Sequence, residues 1–177
     1  MPYNLLLTGL PGCGKTTVVE KVVAALPSDA AGGFVTHELR EGGRRVGFEV
    51  RTLDGRRATL AHVSIRSRHR VGRYGVDVQA FEEVGVRALE DTLAARRLIV
   101  IDEIGKMELF SERFRQAVLN ALDASLPVLA TITYRPHPWC DQIKEREDVE
   151  VWTVTQSNRD ALPRQVLDWL RNHMLEL

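Results

Sequence analysis

Apolar residues follow two alternating rhythms along the chain. Short continuous runs occur at Asn4–Thr8 (NLLLT), 97–103 (RLIVIDE), 127–133 (PVLATIT) and 149–155 (VEVWTVT). Runs of that length without alternation predict strands buried on both faces of a sheet. Between them, apolar residues recur every three or four positions. Lys15–Leu26 brings Val18, Val19, Val22, Val23 and Leu26 to one side, and Pro27–Ser28 ends the segment. Further helices are predicted at Gln79–Arg96, Glu112–Ala124, Trp139–Arg146 and Asn158–His173.

A different rhythm fills residues 32–63, GGFVTHELREGGRRVGFEVRTLDGRRATLAHV. It reads as three short strands broken at Gly42–Gly43 and Asp54–Gly55, both good hairpin turns. This places an antiparallel β insertion at about 33–63, directly after the first helix. Ser64–Asp77 (SIRSRHRVGRYGVD) is basic, contains glycine and shows no period, so it is expected to be a surface loop. Strands alternating with helices predict an α/β fold in which a mostly parallel sheet is covered on both faces. No internal repeat, low-complexity tract or linker divides the 177 residues, and one domain is expected.

Composition narrows the partners. Lys and Arg number 24 and Asp and Glu number 24, so formal net charge is zero. Nothing global attracts nucleic acid or an anionic membrane surface. Two cysteines, Cys13 and Cys140, cannot build a disulfide framework, and no Cys-x-x-Cys pair marks structural zinc. A reducing cytoplasm is the expected setting and a monomer the expected form. The N-terminus lacks a basic region followed by a long apolar segment, and no apolar run approaches the roughly 20 residues of a membrane span. The protein is therefore expected to be neither exported nor embedded.

The chemistry begins at Gly9-Leu10-Pro11-Gly12-Cys13-Gly14-Lys15-Thr16-Thr17, between the first strand and the first helix. Gly9, Gly14, Lys15 and Thr16 fit the phosphate-binding spacing Gly-x-x-x-x-Gly-Lys-Ser/Thr in full. Glycines let backbone N–H groups wrap a β-phosphate, and the helix N-terminus adds positive potential. Lys15 neutralises β and γ oxygens, while Thr16 offers a hydroxyl to Mg2+. The run LIVIDE then places Asp102 at the C-terminal end of a buried strand, where α/β sheets locate ligands, as a second magnesium partner. Glu103 is placed to polarise a water for attack on the γ-phosphorus; its competing reading is a salt bridge, for instance with Lys106.

VIDEIGKMELFS, residues 100–111, resembles the cancer-related nucleoside-triphosphatase family, P-loop enzymes of archaea, bacteria and animals. TGLPGCGKTT, the glycine-rich insertion, VGRYGVDVQAFE and HPWCDQIKEREDVEVWTVTQSNRDALP resemble family blocks in the same order, over most of the chain. The resemblance implies a P-loop NTPase three-layer sandwich and magnesium-dependent hydrolysis of ATP, GTP, CTP and UTP, with broad base tolerance. Cys13 departs slightly from the small Val or Ala common at its position, and a thiol there is a candidate for oxidation.

Other residues carry two readings. Lys106 either reaches the γ-phosphate or orders Glu103, or forms a surface ion pair with Glu108 or Glu112. Within the basic run Arg66, Arg68, Arg70 and Arg73, one arginine is a candidate internal finger and Arg73 the first choice, against a solvated loop. Thr131 and Thr133 lie where a strand end can meet the γ-phosphate, or are plain strand threonines. Asn158 and Arg159 are placed to border the base, against a helix cap at Ser157 or Asn158. His137 and Cys140 lack further metal ligands at suitable spacing. The tryptophans at 139, 152 and 169 are expected to pack. Two other functional classes stay open: a nucleotide or nucleoside kinase whose insertion forms a lid, and a slowly hydrolysing, RNA-associated switch.

Overall fold

The computed structural model describes residues 2–174. Among the described residues nine strands form one sheet in the order β5-β6-β4-β3-β2-β7-β8-β1-β9. The all-apolar runs become its parallel half: β1 (Asn4–Thr8), β7 (Leu98–Ile104), β8 (Val128–Ile132) and β9 (Val149–Thr153). Pairings β1 with β8, β1 with β9 and β7 with β8 are all parallel.

Side chains alternate across this sheet. Leu6, Ile99, Ile101, Val128, Ala130 and Ile132 face one apolar layer, with Phe81, Leu89, Phe114 and Ile143. Leu5, Leu7, Leu98, Val100 and Leu129 face the other, with Val18, Val19, Val166 and Trp169. The second layer is supplied by α1 (Lys15–Ala24) and α6 (Leu162–Met174). The first is supplied by α3 (Arg87–Ala94), α4 (Glu112–Asp123) and α5 (Pro138–Lys144), behind a short α2 (Val78–Phe81). Phe34, Phe81 and Phe114 meet there with ring centroids 5.3–6.3 Å apart. Truncating one of them to alanine would cost about 3–5 kcal/mol. Among the described residues no helix is long and apolar enough to cross a membrane.

Two expectations are corrected. The insertion grows directly out of the parallel half: β2 (Ala31–Glu41) pairs in parallel with β7 through Ala31–Phe34 and antiparallel with β3 (Arg44–Thr52) from Phe34 onward. One strand thus belongs to both halves, and β4 (Arg57–His62) continues the antiparallel side.

The loop at 64–77 also contains a hairpin, β5 (Arg70–Val71) and β6 (Tyr74–Val76), which adds to β4. Strands of two and three residues are too short to show alternation in sequence. The helix expected at Gln79–Arg96 is interrupted by a π-helical turn at Glu82–Val86. A Cβ on Gly85 would stand 2.9 Å from the Phe81 ring and 3.3 Å from Val50, so the missing side chain lets this segment close on β3.

Candidate active site

The chain must leave β1 at Thr8 and turn back to start α1. A Cβ on Gly9 would stand 2.6 Å from the Val154 carbonyl oxygen and 2.8 Å from Cys13 Sγ, so the turn admits only glycine. Leu10, Pro11 and Gly12 form an exposed crest, while the Cys13 thiol is tucked beneath it. Gly14 caps α1 with φ +105°, a conformation that penalises any side chain. It offers no capping side chain, and no acid occupies the first turn, so the helix N–H groups are open to an anion.

Parallel register sets the second half of the site. Ile101 is level with Ala130 of β8 on one side and Phe34 of β2 on the other, so the next residue, Asp102, emerges between Thr131 and the Val35–Thr36 stretch of β2, just past the end of its pairing with β7. Thr131 Oγ1 donates to Asp102 Oδ1 at 2.6 Å, Thr16 Oγ1 to Oδ2 at 2.7 Å and the Thr36 amide to Oδ2 at 3.3 Å. The Thr36 hydroxyl also donates to the Asp102 carbonyl at 2.6 Å. Asp102 is 2% exposed. Burial raises its carboxyl above the ordinary range, opposed by the hydroxyls of Thr131 and Thr16, the Thr36 amide and the charge of Lys15.

Lys15 and Glu103 meet above this network. Lys15 Nζ donates to the Gly9 carbonyl at 2.7 Å and lies 3.8 Å from Glu103 Oε2. Burial raises the Glu103 carboxyl, Lys15 pulls it back and Asp102 raises it further. Beyond Glu103, a three-residue 3-10 turn (Glu108–Phe110) carries a third acid, Glu108, only 4% exposed. Its carboxyl is held well above the ordinary glutamate range, first by burial and then by the charge of Glu103.

Of the residues singled out in sequence, Gly9 through Thr16, Asp102 and Glu103 converge; Thr17 is exposed beside them on α1. The alternative partner for Glu103 is corrected, since its ion pair is with Lys15 and not Lys106. Lys106 is exposed at the turn, and its suggested acidic partners are otherwise placed: Glu112 lies 3.8 Å from Arg115 and Glu108 is buried.

Arg73 is not brought to the loop. Its guanidinium donates to the Arg45 carbonyl and to the Tyr74 hydroxyl, stacking 5.3 Å over the Tyr74 ring, on a strand pair that five strands separate from β1. Asn158 staples the turn after β9: its Oδ1 accepts from the Thr155 amide and its Nδ2 donates to the Thr153 carbonyl. That turn carries Arg159 to the loop, with Cδ 3.3 Å from where a Cβ on Gly14 would stand.

Thr133 extends the join of β8 to β7, donating its amide to the Ile104 carbonyl, and Lys144 Nζ caps its carbonyl at 2.8 Å. His137 caps α5 through Nδ1, and buried Cys140, its thiol pushed up to about 11 by burial, packs against β7. Trp152 and Trp169 both donate to the Glu150 carboxylate. Sequence reasoning missed Thr36 and the burial of Glu108. The signal for Thr36 was the strand running level with Asp102, and for Glu108 the apolar residues on either side of it, Met107 and Leu109.

The NTPase family model matches residues 4–167. The chain is 51% identical over 168 residues to the nucleoside-triphosphatase THEP1 of Thermofilum pendens, covering 92% of each protein. It is 41% identical over 177 residues to the human cancer-related nucleoside-triphosphatase, covering 92% of this chain and 93% of that one. In three dimensions it superposes on the crystal structure of THEP1 from Aquifex aeolicus with a TM-score of 0.87, at 38% identity, over 94% of this chain and 98% of that one.

Proposed function

Since the chain belongs to the NTPase family, we propose that it hydrolyses nucleoside 5′-triphosphates to the diphosphate and inorganic phosphate, with magnesium as cofactor. The observation that carries this reading is the meeting of Lys15 and Glu103 at 3.8 Å, each next in the chain to a partner of the Thr16–Asp102 hydrogen bond. The reading takes ATP, GTP, CTP and UTP alike as substrates, a tolerance that rests on the family.

The donor set fits magnesium. Thr16 spends its one hydroxyl proton on Asp102, which leaves lone pairs as a hard oxygen ligand beside a carboxylate. Thr16 and Asp102 would hold the ion, which when bound would supply charge neutralisation for phosphate oxygens. The open N–H groups at the start of α1 and the loop glycines bind the phosphates, and Lys15 screens the charge that develops between β and γ. Glu103 accepts a proton from water as its oxygen bonds to the γ-phosphorus and the bond to the β-phosphate oxygen breaks. Burial strengthens Glu103 as a base, while Lys15 keeps it ionised. Both cysteines are free and buried, which suits the cytoplasm.

The test follows labelled γ-phosphate from Mg-ATP in the presence of nucleosides and nucleoside monophosphates. Label is expected in free phosphate, and Glu103→Gln should keep Mg-ATP binding while slowing release about a hundredfold or more. Label in an acceptor would make the protein a kinase instead.

A further inference from the structure

The zero net charge of the chain conceals an uneven distribution. Residues 36–77 carry ten arginines against five acids, and the opposite excess lies in the remainder. Three of those acids are already engaged: Glu38 by Arg40 and Arg45, Glu49 by Arg51, and Asp54 by Arg56. Arg45, Arg73 and Arg70 form one connected row. Arg73 donates to the Arg45 carbonyl, and Arg70 Nη2 donates to the Arg73 carbonyl at 2.9 Å. Arg70 and Arg73 are thus held by neutral acceptors, which fix a guanidinium without neutralising it.

Aromatic rings set the planes of the row. The Arg45 guanidinium lies 5.2 Å over the Phe48 ring and 5.6 Å over that of Tyr74, and Arg73 lies 5.3 Å over Tyr74. Arg44, Arg45 and Arg73, all exposed, line an open depression of about 440 Å³ together with Glu41, Val46 and Val63. Val63 is 37% exposed, an apolar patch among charges. The row lies on β3, β5 and β6, which three or more strands separate from β1 and its phosphate loop.

We propose that this face of the insertion binds single-stranded nucleic acid, with phosphates along the arginine row and a base in the depression. Crowded arginines repel one another, and an anion with many charges relieves that repulsion where a single one relieves only part of it. The guanidinium fork matches phosphate oxygens, and its flat face stacks on a base as it stacks on Tyr74. Val46 and Val63 give the base an apolar contact. A duplex keeps its bases paired, so only an unstacked strand can fill the depression. An acidic peptide would meet the charges but has no flat ring to offer the guanidinium planes.

The experiment follows fluorescence anisotropy of labelled oligo(U) and oligo(dT) with the full chain, from about 50 to 200 mM salt. Binding should weaken steeply as salt rises. Arg44→Gln removes an exposed cation that makes no hydrogen bond among the described residues, so the fold is left alone. It should weaken binding about threefold to tenfold and lower the salt slope by about one. Arg73→Lys keeps the charge, so the slope should stay while the lost stack and fork weaken binding by a similar factor. Arg164→Gln, an exposed arginine on α6, should change nothing, and a saturating non-hydrolysable Mg-ATP analogue should not displace the strand.

Preference for either oligonucleotide upholds the proposal and says which sugar the face favours. Absence of binding, or an Arg44→Gln variant that binds as well as the native chain, would overturn it. Equal losses for Arg164→Gln and Arg44→Gln would mean diffuse attraction and no site. Displacement by the ATP analogue would put the strand in the phosphate loop, and equally tight binding of polyglutamate would make the face a dock for acidic protein segments. Arg44→Gln alone decides the matter should Arg73→Lys fail to fold, and none of these outcomes depends on how the chain hydrolyses nucleotides.

Discussion

Thr16 Oγ1 donates to Asp102 Oδ2 across 2.7 Å, joining the first turn of α1 to the end of β7 over 86 residues of sequence. Thr131 holds the other oxygen of the same carboxylate at 2.6 Å. The acid is thus oriented from two strands and a helix. Thr131→Val should leave Asp102 free to rotate, raising the magnesium concentration for half-maximal turnover by about tenfold. A magnesium titration of steady-state hydrolysis measures this, and an unchanged midpoint would mean that Thr131 serves packing alone.

Lys15 is anchored on the Gly9 carbonyl and faces Glu103, so its ammonium is aimed before the nucleotide binds. Lys15→Ala should lower turnover by at least about a hundredfold to a thousandfold, the scale of losing a preorganised charge partner. Near-normal phosphate release from the variant would refute the loop reading.

Arg159 packs against Gly14 at the start of α1, and none of its hydrogen bonds or ion pairs among the described residues reaches Lys15 or Glu103. A group that touches the nucleotide but not the reacting atoms contributes equally to ground and transition states. Arg159→Ala should therefore raise KM several-fold with kcat nearly unchanged, as initial rates over a range of ATP concentrations would reveal. A loss confined to kcat would place this arginine at the γ-phosphate instead.

Burial of Glu108 gives stability a pH signature. Its folded-state affinity for the proton exceeds that of the unfolded chain, so between the ordinary glutamate range and its raised value the folded state binds more protons. Stability from this group is present in acid and is lost as pH rises through that window. Glu108→Gln removes the loss. The variant should gain on the native protein from pH 5 to pH 8, by at most about 1.4 kcal/mol per pH unit. Urea unfolding at both values reads the difference, and a constant gap would mean that Glu108 is ionised in both states.

The parts of the site legible in sequence were those encoded over a few neighbouring residues. Gly9 to Thr16 and the acids ending LIVIDE each announce their chemistry locally, because a glycine turn or a strand terminus dictates it. Thr36 and Glu108 act through neighbours that only the sheet register and the packing of the 3-10 turn supply. Arg73 shows the reverse error: a charge in a suggestive segment is spent on Tyr74 and Arg45. The same division holds for the fold, where long apolar runs gave the parallel strands. Gly85 and the two-residue strand β5 answer to contacts with Phe81, Val50 and β6 that no local pattern carries.

Because β2 serves both halves of the sheet, the insertion cannot swing as a separate flap. Its root, Thr36, is fastened to Asp102 by two hydrogen bonds. Any bending toward a nucleotide has to start further out, where the pairing with β3 slips between Leu39 and Arg40. A trimmed chain that dispensed with the hairpin would not be a pared-down version of the same catalyst; it would have cut into the scaffolding that holds Asp102.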